Sequence, residues 1–210
     1  MLEAFQAGAD LHQLTASRVF GCDVTAVTLE QRQLAKSLNF GLLYGMGPAR
    51  LQAQILKETG QLLRLDEAKA YKQEFLATYR GLAHWHARTN RERAWHGGQL
   101  ETRTLAGRRR LAVSRSTESL NSPVQGSGAD GFKAAMGRLF THRAEVPDAR
   151  LIIAVHDELV AECPIDQADA TAAWVRRHMQ AAMEEIVNHA VPIGVEITLG
   201  RDWAGTPLEA

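Results

Sequence analysis

The sequence predicts an α+β fold, in which a helical lobe is followed by a lobe with a small antiparallel sheet backed by helices. Over the first half, apolar residues recur at helical spacing between capping signals. The pattern changes after the paired glycines Gly97 and Gly98, and two short β-type runs, LIIAV and LVAEC, follow in the second half. We therefore expect a helical lobe over residues 1–98 and an α+β lobe over residues 99–210.

Capping and stop signals divide the first lobe into helices. Thr28 and Gln31 have the spacing of a capping box, in which each side chain satisfies a free backbone N–H of the other. Gly21 is a typical residue for ending the preceding helix. The helices of this lobe are expected at Asp10 to Phe20, at Thr28 to Tyr44, after Pro48, at Asp66 to Tyr79 and at Trp85 to Trp95.

The second lobe is expected to mix helices with short strands. The two β-type runs flank His156, Asp157 and Glu158, as in a tight antiparallel hairpin. Pro123 and the glycines that follow it should weaken or bend a long helix. The elements are expected to be a strand-like piece at Leu100 to Leu105, a helix at Ser116 to His142, strands at Leu151 to Val155 and Leu159 to Cys163, a helix at Gln167 to Asn188 and a last strand at Ile193 to Leu199.

Length and composition exclude several classes of protein. A chain of 210 residues, 45% of them hydrophobic and 23% charged, has the composition of a globular protein with one core or two small lobes. No apolar run reaches the roughly 20 residues of a membrane helix, and the first residues lack the pattern of a secretory signal. The two cysteines form neither a CxxC pair nor a disulfide framework. The sequence therefore predicts a cytoplasmic protein without a membrane partner.

The net charge of zero conceals an uneven distribution of charge. Eight arginines and two glutamates lie between Arg88 and Arg115, a segment that we name the basic band. The segment from Asp157 to Ala210 contains ten acidic residues and three arginines. A basic segment attracts phosphate, and an acidic one repels it or collects cations. A solvated helix face is the alternative interpretation of the basic band, and it stays open.

Four residues of the second helix are arranged in the same order as the parts of a nucleoside triphosphate, with two cations first and two aromatic rings second. Arg32, Lys36, Phe40 and Tyr44 lie four apart, so each is about 40° from the last around the helix axis and all lie on one stripe. The cations come first, near the helix N-terminus, where the helix dipole also attracts a polyphosphate. The aromatic rings come second and are able to stack on a sugar or a base. An ordinary amphipathic helix with a mixed face is the alternative.

The acidic residues of the hairpin are candidates for a metal site. Asp157 and Glu158 lie between two apolar strands that hold them rigidly, and Mg²⁺ prefers carboxylate and phosphate oxygens. In two-metal phosphoryl transfer, the primer 3′-hydroxyl is activated by one ion and the triphosphate is held by the other, and carboxylates from at least two segments are normally needed. Ordinary turn chemistry is the alternative for an acidic pair at a hairpin.

A third group of residues has the chemistry of a DNA contact. Arg108, Arg109 and Arg110 follow a glycine at a turn and suit backbone phosphates. Asn121 and Gln125 carry amides that suit the acceptors common to all base pairs in the minor groove. Capping and ordinary surface polarity are the alternative for these two residues.

Together and in this order, the motifs resemble the polymerase domain of family A DNA polymerases, the bacterial DNA polymerase I group. The resemblance covers essentially the whole chain and rests on DLHQLTASRVFG, RQLAKSLNFGLLYGMG, GRRR, NSPVQGSGAD and AVHDELV. It implies an incomplete right-hand polymerase fold, in which the first lobe corresponds to the fingers and the second to most of the palm. It also implies primer-template DNA and dNTP as partners and a location at the nucleoid.

The resemblance implies roles for residues of the fingers. Arg32 and Lys36 would grip the incoming dNTP, with His12 near its phosphates, and Lys36 would belong to the catalytic group. Phe40 would pack on the sugar and influence the acceptance of dideoxynucleotides. Tyr44 would guard the template side of the pocket.

The resemblance likewise assigns residues of the palm. Asp157 would be a Mg²⁺ ligand and Glu158 a supporting acid of a catalytic two-ion site. The residues that would contact the primer-template duplex are His156, Arg110, Asn121 and Gln125.

The resemblance also identifies a segment that this chain does not show. The family's first catalytic motif, a DYSQIELR-like strand and turn with the other metal-binding aspartate, is expected shortly before FQAGADLH, and Met1 comes after that point. An upstream polypeptide would then supply half of the two-ion site and complete the palm sheet, which would otherwise expose an unpaired edge. We expect the isolated chain to be nearly inactive. Two functions follow: a segment of a DNA-directed DNA polymerase, or a truncated remnant that binds DNA or nucleotides without chemistry.

Overall fold

Helices dominate the first part of the chain, and two separate hairpins lie in the second part. The computed structural model describes residues 1–207. Short 3₁₀ turns lie at Val24–Ala26, Arg143–Glu145 and Ile165–Gln167. The helices and strands, in chain order, are α1 (Leu2–Gln6), α2 (Leu11–Phe20), α3 (Leu29–Leu43), α4 (Pro48–Thr59), α5 (Leu65–Thr78), α6 (Arg80–Trp95), β1 (Leu100–Arg103), β2 (Arg109–Val113), α7 (Ser116–Thr141), β3 (Arg150–Val155), β4 (Glu158–Glu162) and α8 (Ala168–Ile186). The predicted α+β class is confirmed.

Local signals in the sequence set the ends of α2 and α3. The Asp10 side chain caps α2 by accepting hydrogen bonds from two backbone N–H groups, and Gly21 ends the helix with a left-handed φ of 65°. Both halves of the capping box between Thr28 and Gln31 are present at the start of α3. The two helices therefore begin and end within one residue of the predicted positions.

The chain divides into two compact units that are interleaved in sequence. The first unit comprises Met1–Arg103 and Arg108–Val124, and the second comprises Thr104–Gly107 and the chain from Gln125 onward. The division falls inside α7, next to Pro123, which has no N–H to donate to the helix. The helix nevertheless continues through Pro123. The lobe boundary predicted between residues 98 and 99 stays a prediction, since these units are defined by contacts rather than by the type of secondary structure.

The core of the first unit is built by one side of α3 packed on α4 and α5. Fully burying an aliphatic or aromatic side chain contributes about 1.5–3 kcal/mol, so a cluster of this size fixes the orientation of each helix around its axis. The residues of this cluster are Leu34, Leu38, Leu42, Leu51, Ile55, Leu63, Ala68 and Phe75.

The core of the second unit is smaller and centres on α8. Trp174 and Val175 pack against Leu139 of α7 and against Val146. The Trp174 indole N–H donates to the carbonyl oxygen of His142 at 3.3 Å, so the buried polar atom of this ring is satisfied.

The β3–β4 hairpin forms a two-stranded antiparallel sheet of its own. Its register pairs Val155 with Glu158 at the turn and Arg150 with Glu162 at the open end, with an irregularity between Leu151 and Ile153. No residue of β3 is fully buried, and Ile152 is 52% exposed. The hairpin therefore shows apolar side chains to solvent.

The last predicted strand, Ile193 to Leu199, is wrong. This segment has no helix or strand hydrogen-bonding pattern and is held by side chains of α8. The Gln180 amide donates to the Ile193 carbonyl oxygen at 2.8 Å, and Arg176 Nε donates to that of Val195 at 3.4 Å. Alternating apolar residues suit a strand, but a strand also needs a second strand to pair with. Here the carbonyl groups of Ile193 and Val195 accept hydrogen bonds from side chains of α8 instead.

Within residues 1–207, no helix has the length and apolar composition needed to cross a membrane.

Gly45 closes α3 with a backbone conformation and a close contact that both favour glycine. Its φ is +76°, and a Cβ at this position would lie 2.7 Å from Cδ1 of the buried Leu120. Gly60 ends α4 with a similar φ of +72°, but nothing lies within 4 Å of the corresponding Cβ position.

We predict that Gly45→Ala destabilises the protein more than Gly60→Ala does. The left-handed conformation costs a non-glycine residue about 1–2 kcal/mol at either site. Only Gly45→Ala adds the crowding against Leu120, which brings a further loss of about 1 kcal/mol or more in the free energy of unfolding. Urea unfolding of the two variants measures the difference, and equal losses would contradict the contact.

One histidine of the second unit has a buried ring. His178 of α8 is 4% exposed, and its ring lies against His142 and Trp174 at centroid distances of 4.6 and 5.9 Å. Within residues 1–207 neither ring nitrogen has a hydrogen-bond partner, although Nε2 is 3.5 Å from the Glu145 carboxylate. Burial lowers the pKa of His178 below its ordinary value of 6.5 despite the opposing effect of Glu145.

We predict that the protein loses stability as the pH falls below about 6.5, in part because of His178. Since its folded pKa lies below its unfolded pKa, the unfolded chain binds the proton first. The stabilisation is complete above the unfolded pKa and declines as the pH falls toward the folded pKa. Melting temperatures measured from about pH 8 to about pH 5 should decline less steeply in His178→Phe, which cannot bind a proton. The same slope in both proteins would show that His178 is not responsible.

Candidate active site

The outward side of α3 presents the predicted cations and one of the aromatic rings. Arg32 is half-buried, Lys36 is exposed, and the Phe40 ring is 54% exposed. Tyr44 follows the last residue of the helix, with φ −96° and ψ 18°, so it is the helix cap rather than a residue of the helix. The predicted stripe is therefore formed by three helical residues and by the half-buried residue directly after them.

Asp10, which the sequence analysis did not single out, holds Arg32 in place. Its Oδ2 accepts a hydrogen bond from Arg32 Nε at 2.7 Å, while its Oδ1 accepts from the backbone N–H groups of His12 and Gln13 at 2.9 and 3.0 Å. Burial opposes ionisation of Asp10, but the hydrogen bonds from Gln13 and Arg32 outweigh it and lower the pKa of this carboxyl. The guanidinium is thus held through Nε, and its terminal amino groups make no hydrogen bond within residues 1–207.

A chain of hydrogen bonds orients His12 beside Phe40. The two rings lie 5.9 Å apart between centroids. Asn39 Nδ2 donates to His12 Nδ1 at 2.8 Å, and Asn39 Oδ1 accepts from Thr15 Oγ1, which lies 2.6 Å from the Tyr79 hydroxyl. With the amide in this orientation Nδ1 is an acceptor, so the ring proton of neutral His12 lies on Nε2.

The neutral form of His12 is favoured by its surroundings. Burial lowers the pKa of His12, the nearby Asp10 carboxylate raises it, and the charges of Arg32 and Lys36 lower it further, for a net decrease. At physiological pH the ring is therefore a hydrogen-bond donor through Nε2–H and adds no charge to this cationic face.

The turn of the β3–β4 hairpin contains two residues rather than the three predicted. His156 and Asp157 form the turn, and His156 adopts a left-handed φ of 54°. Glu158 is already the first residue of β4, where it pairs with Val155. Its Oε1 accepts a hydrogen bond from the Trp203 indole N–H at 3.0 Å. Sequence reasoning missed this contact, which joins residues 45 positions apart.

The two acids fit Mg²⁺ as ligands from one segment. Asp157 is exposed and makes no hydrogen bond within residues 1–207, and Glu158 retains one oxygen that Trp203 does not engage. Mg²⁺ is usually bound by one or two carboxylates together with waters and substrate phosphates. The described part of the chain contains no cluster of three or more His, Cys, Asp or Glu residues suited to a metal ion.

The arginines of the glycine-arginine turn lie at the start of β2. Arg109 forms a close ion pair with Glu101 of β1, and Arg110 contacts Glu118 of α7 at 3.3 Å. Arg108 directly precedes the strand. These pairs are exposed, and exposed ion pairs are weak enough to exchange for a phosphate group.

Asn121 and Gln125 are both exposed and lie four residues apart on α7. The predicted site residues fall into both units: the stripe on α3, His12, Arg108 to Arg110 and Asn121 belong to the first, whereas Gln125, His156, Asp157 and Glu158 belong to the second. The roles of the single residues stay predictions.

Comparison with known proteins gives one consistent answer. The family model for DNA polymerase family A matches residues 1–205. DNA polymerase I of Aquifex aeolicus is 35% identical over 205 residues, which cover 97% of this chain and 35% of that protein. The thermostable DNA polymerase I of Thermus aquaticus is 36% identical over 214 residues, covering 97% of this chain and 24% of that protein.

A solved structure agrees with these matches. The POL domain of Pol1 from M. smegmatis, described in complex with DNA primer-template and dNTP, has a TM-score of 0.78 and 28% sequence identity. The match covers 98% of this chain and 36% of that chain. This chain thus spans about a quarter to a third of the length of these relatives. With the family model matching nearly its full length and the fold agreeing, the chain belongs to DNA polymerase family A.

Proposed function

We propose that this chain grips the incoming dNTP and, together with a further segment, adds it to a primer 3′-hydroxyl on a DNA template. The observation that carries the proposal is the outward face of α3, where Arg32 held by Asp10, Lys36 and His12 lie beside the exposed Phe40 ring. The primer-template and dNTP described in the complex of the M. smegmatis relative support the same substrates here. Such an enzyme acts in the cytoplasm, at the nucleoid.

Three donors of this face suit a triphosphate. The terminal amino groups of Arg32 form a planar fork for phosphate oxygens, and the Lys36 ammonium acts as a point charge. His12 Nε2–H adds a neutral donor, which Asn39 orients from the other side of the ring. The exposed Phe40 ring then packs on the sugar, and Tyr44 borders the template side.

The hairpin acids supply the metal-binding part of the reaction. Asp157 and the oxygen of Glu158 that Trp203 does not engage would hold Mg²⁺, which when bound stabilises the charge that develops in phosphoryl transfer. Because two-metal sites normally take carboxylates from at least two segments, we propose that an upstream polypeptide provides the second aspartate and completes the palm. The side chains of Arg108, Arg109, Arg110, Asn121, Gln125 and His156 would hold the primer-template duplex.

We predict that Lys36→Ala weakens dNTP binding by the 210-residue chain about tenfold or more, because a hydrogen bond to a charged group contributes about 1.5–3 kcal/mol. Lys57→Ala, which removes an exposed charge from α4, is the matched control and should bind as the parent does. Asn39→Ala should cause a smaller loss, of about fivefold, because His12 remains but loses its orientation. Titration with a fluorescent dNTP, with and without Mg²⁺, measures all three. A Lys36 variant that binds normally would refute the grip.

A second candidate function is binding without chemistry. The hydrogen bond from Trp203 to Glu158 favours it, because the contact gives this acid a structural role near the C-terminus. On that view Glu158→Gln lowers stability, and neither the parent chain nor the variant extends a primer. Trp203→Phe serves as its partner, since it removes the same hydrogen bond and leaves the acid in place.

We predict Mg²⁺-dependent primer extension when the chain is mixed with a polypeptide that carries the upstream half of the polymerase domain. Asp157→Ala should reduce the rate by roughly 10³-fold or more, the scale on which members of a catalytic unit act. Glu162→Gln, at the other end of β4, is the control for charge removal and should extend primers normally. Extension that survives Asp157→Ala would contradict the role of Asp157 as a metal ligand. The absence of extension from every mixture would leave the binding function as the better description.

A further inference from the structure

One side of α6 carries exposed cationic side chains together with an exposed tryptophan, Trp95, and a half-buried one, Trp85, and no part of the proposed site uses them. They line an open groove of about 810 Å³ along the helix. Consecutive members lie one or three positions apart, which places them on one side of an α-helix over roughly four turns. The lining residues are Trp85, Trp95, Arg88, Arg91, His84 and His96, with Gly81 at one end and Glu92 as the one acid among them.

The opposite side of α6 is fixed by the first unit. A ring nitrogen of the buried His86 lies 2.8 Å from the Leu43 carbonyl oxygen, and Thr89 is buried. Arg93 NH1 donates to the Ser114 carbonyl oxygen at 3.1 Å, and Asn90 bonds to the Ser116 hydroxyl. The groove side is therefore held outward and is the face available to a ligand.

The groove side has the features of a binding surface. The Trp95 indole is 88% exposed, which is unusual for the largest apolar side chain. Within residues 1–207, the side chains of Arg88 and Arg91 make no ion pair and no hydrogen bond. They differ in this from the other arginines of the basic band, because Arg109 pairs with Glu101 and Arg110 with Glu118. The basic band thus contains two arginines, Arg88 and Arg91, that no acid pairs with in the described part of the chain. Both lie between the two tryptophans in the sequence.

We propose that this face of α6 binds single-stranded DNA. The uncommitted arginines attract backbone phosphates, and the indoles provide surfaces on which unpaired bases stack regardless of their identity. Trp85 and Trp95 are ten positions apart, or roughly 15 Å along the axis, a distance suited to a run of about four nucleotides. Duplex DNA fits less well because its bases are stacked inside the helix. An acidic peptide would match the charge but has no planar faces for the two indoles.

This proposal shares no residue with the dNTP grip on α3. The two proposals can therefore fail separately, and dNTP titration of the same variants reports on the grip alone.

The test is fluorescence anisotropy of a labelled oligo(dT) of about 12 nucleotides with the 210-residue chain. Trp95→Ala should weaken binding about tenfold, the loss of one stacked base, whereas Trp95→Phe should retain most of the affinity. The double variant Arg88→Ala/Arg91→Ala should weaken binding and lower the slope of log affinity against log salt by about 1.4, since each phosphate contact on a single strand contributes about 0.7.

Two control variants change the same unit away from the groove. Lys57→Ala/Lys69→Ala removes two exposed charges from α4 and α5, and Leu62→Ala shortens a side chain that is 73% exposed. Both should bind oligo(dT) as the parent does. All groove variants should retain the parent melting temperature and Lys36-dependent dNTP binding.

Three outcomes would overturn the proposal. The first is the absence of oligo(dT) binding by the parent chain. The second is binding that Trp95→Ala and the double arginine variant leave unchanged. The third is displacement by a hairpin duplex or by poly-glutamate at the same concentration as by unlabelled oligo(dT), which would identify a general polyanion surface.

Discussion

The burial of one side of α3 is the constraint on which the candidate site depends. Leu34, Leu38 and Leu42 recur every fourth residue and are sealed against α4 and α5, so the helix cannot rotate without exposing them. Arg32, Lys36 and Phe40 follow the same four-residue period from a different starting position. Their presentation to solvent is therefore a consequence of core packing, and the apolar residues of α3 matter to binding although none of them would touch a ligand.

A second constraint links the capping of α2 to the site. One carboxylate oxygen of Asp10 accepts hydrogen bonds from two backbone N–H groups at the start of α2, and the other accepts a hydrogen bond from Arg32. Asn39, on the buried side of α3, reaches His12 of α2 and fixes which ring nitrogen carries the proton. The same hydrogen bonds that join α2 to α3 thus orient both a cation and a neutral donor. Packing α2 against α3 therefore also orients the site residues, because these residues form the hydrogen bonds between the two helices.

What could be predicted from the sequence was local in character. The capping box of α3, the glycine stop of α2 and the short hairpin all depend on residues a few positions apart, and the structure has them. The pairing of Asp10 with Arg32 spans 22 positions, and that of Glu158 with Trp203 spans 45, so no spacing rule announces them. The strand predicted at Ile193 to Leu199 was wrong for a related reason. Its alternation suits a strand, but the side chains of Arg176 and Gln180 donate to two of its carbonyl groups, and no strand within residues 1–207 pairs with it.

In the hairpin and in the basic band, residues of the same chemical type make different contacts, depending on the element that carries them. Asp157 and Glu158 are adjacent acids, yet the Asp157 side chain has no partner among residues 1–207, while β4 places Glu158 against the Trp203 indole. The arginines of the basic band divide in the same way. Those on β2 face acids that neutralise them, whereas Arg88 and Arg91 lie on a helix side that the core does not use. A count of charges treats all of these arginines alike. Arg88 and Arg91 keep their full attraction for phosphate, whereas a paired guanidinium must first separate from its carboxylate.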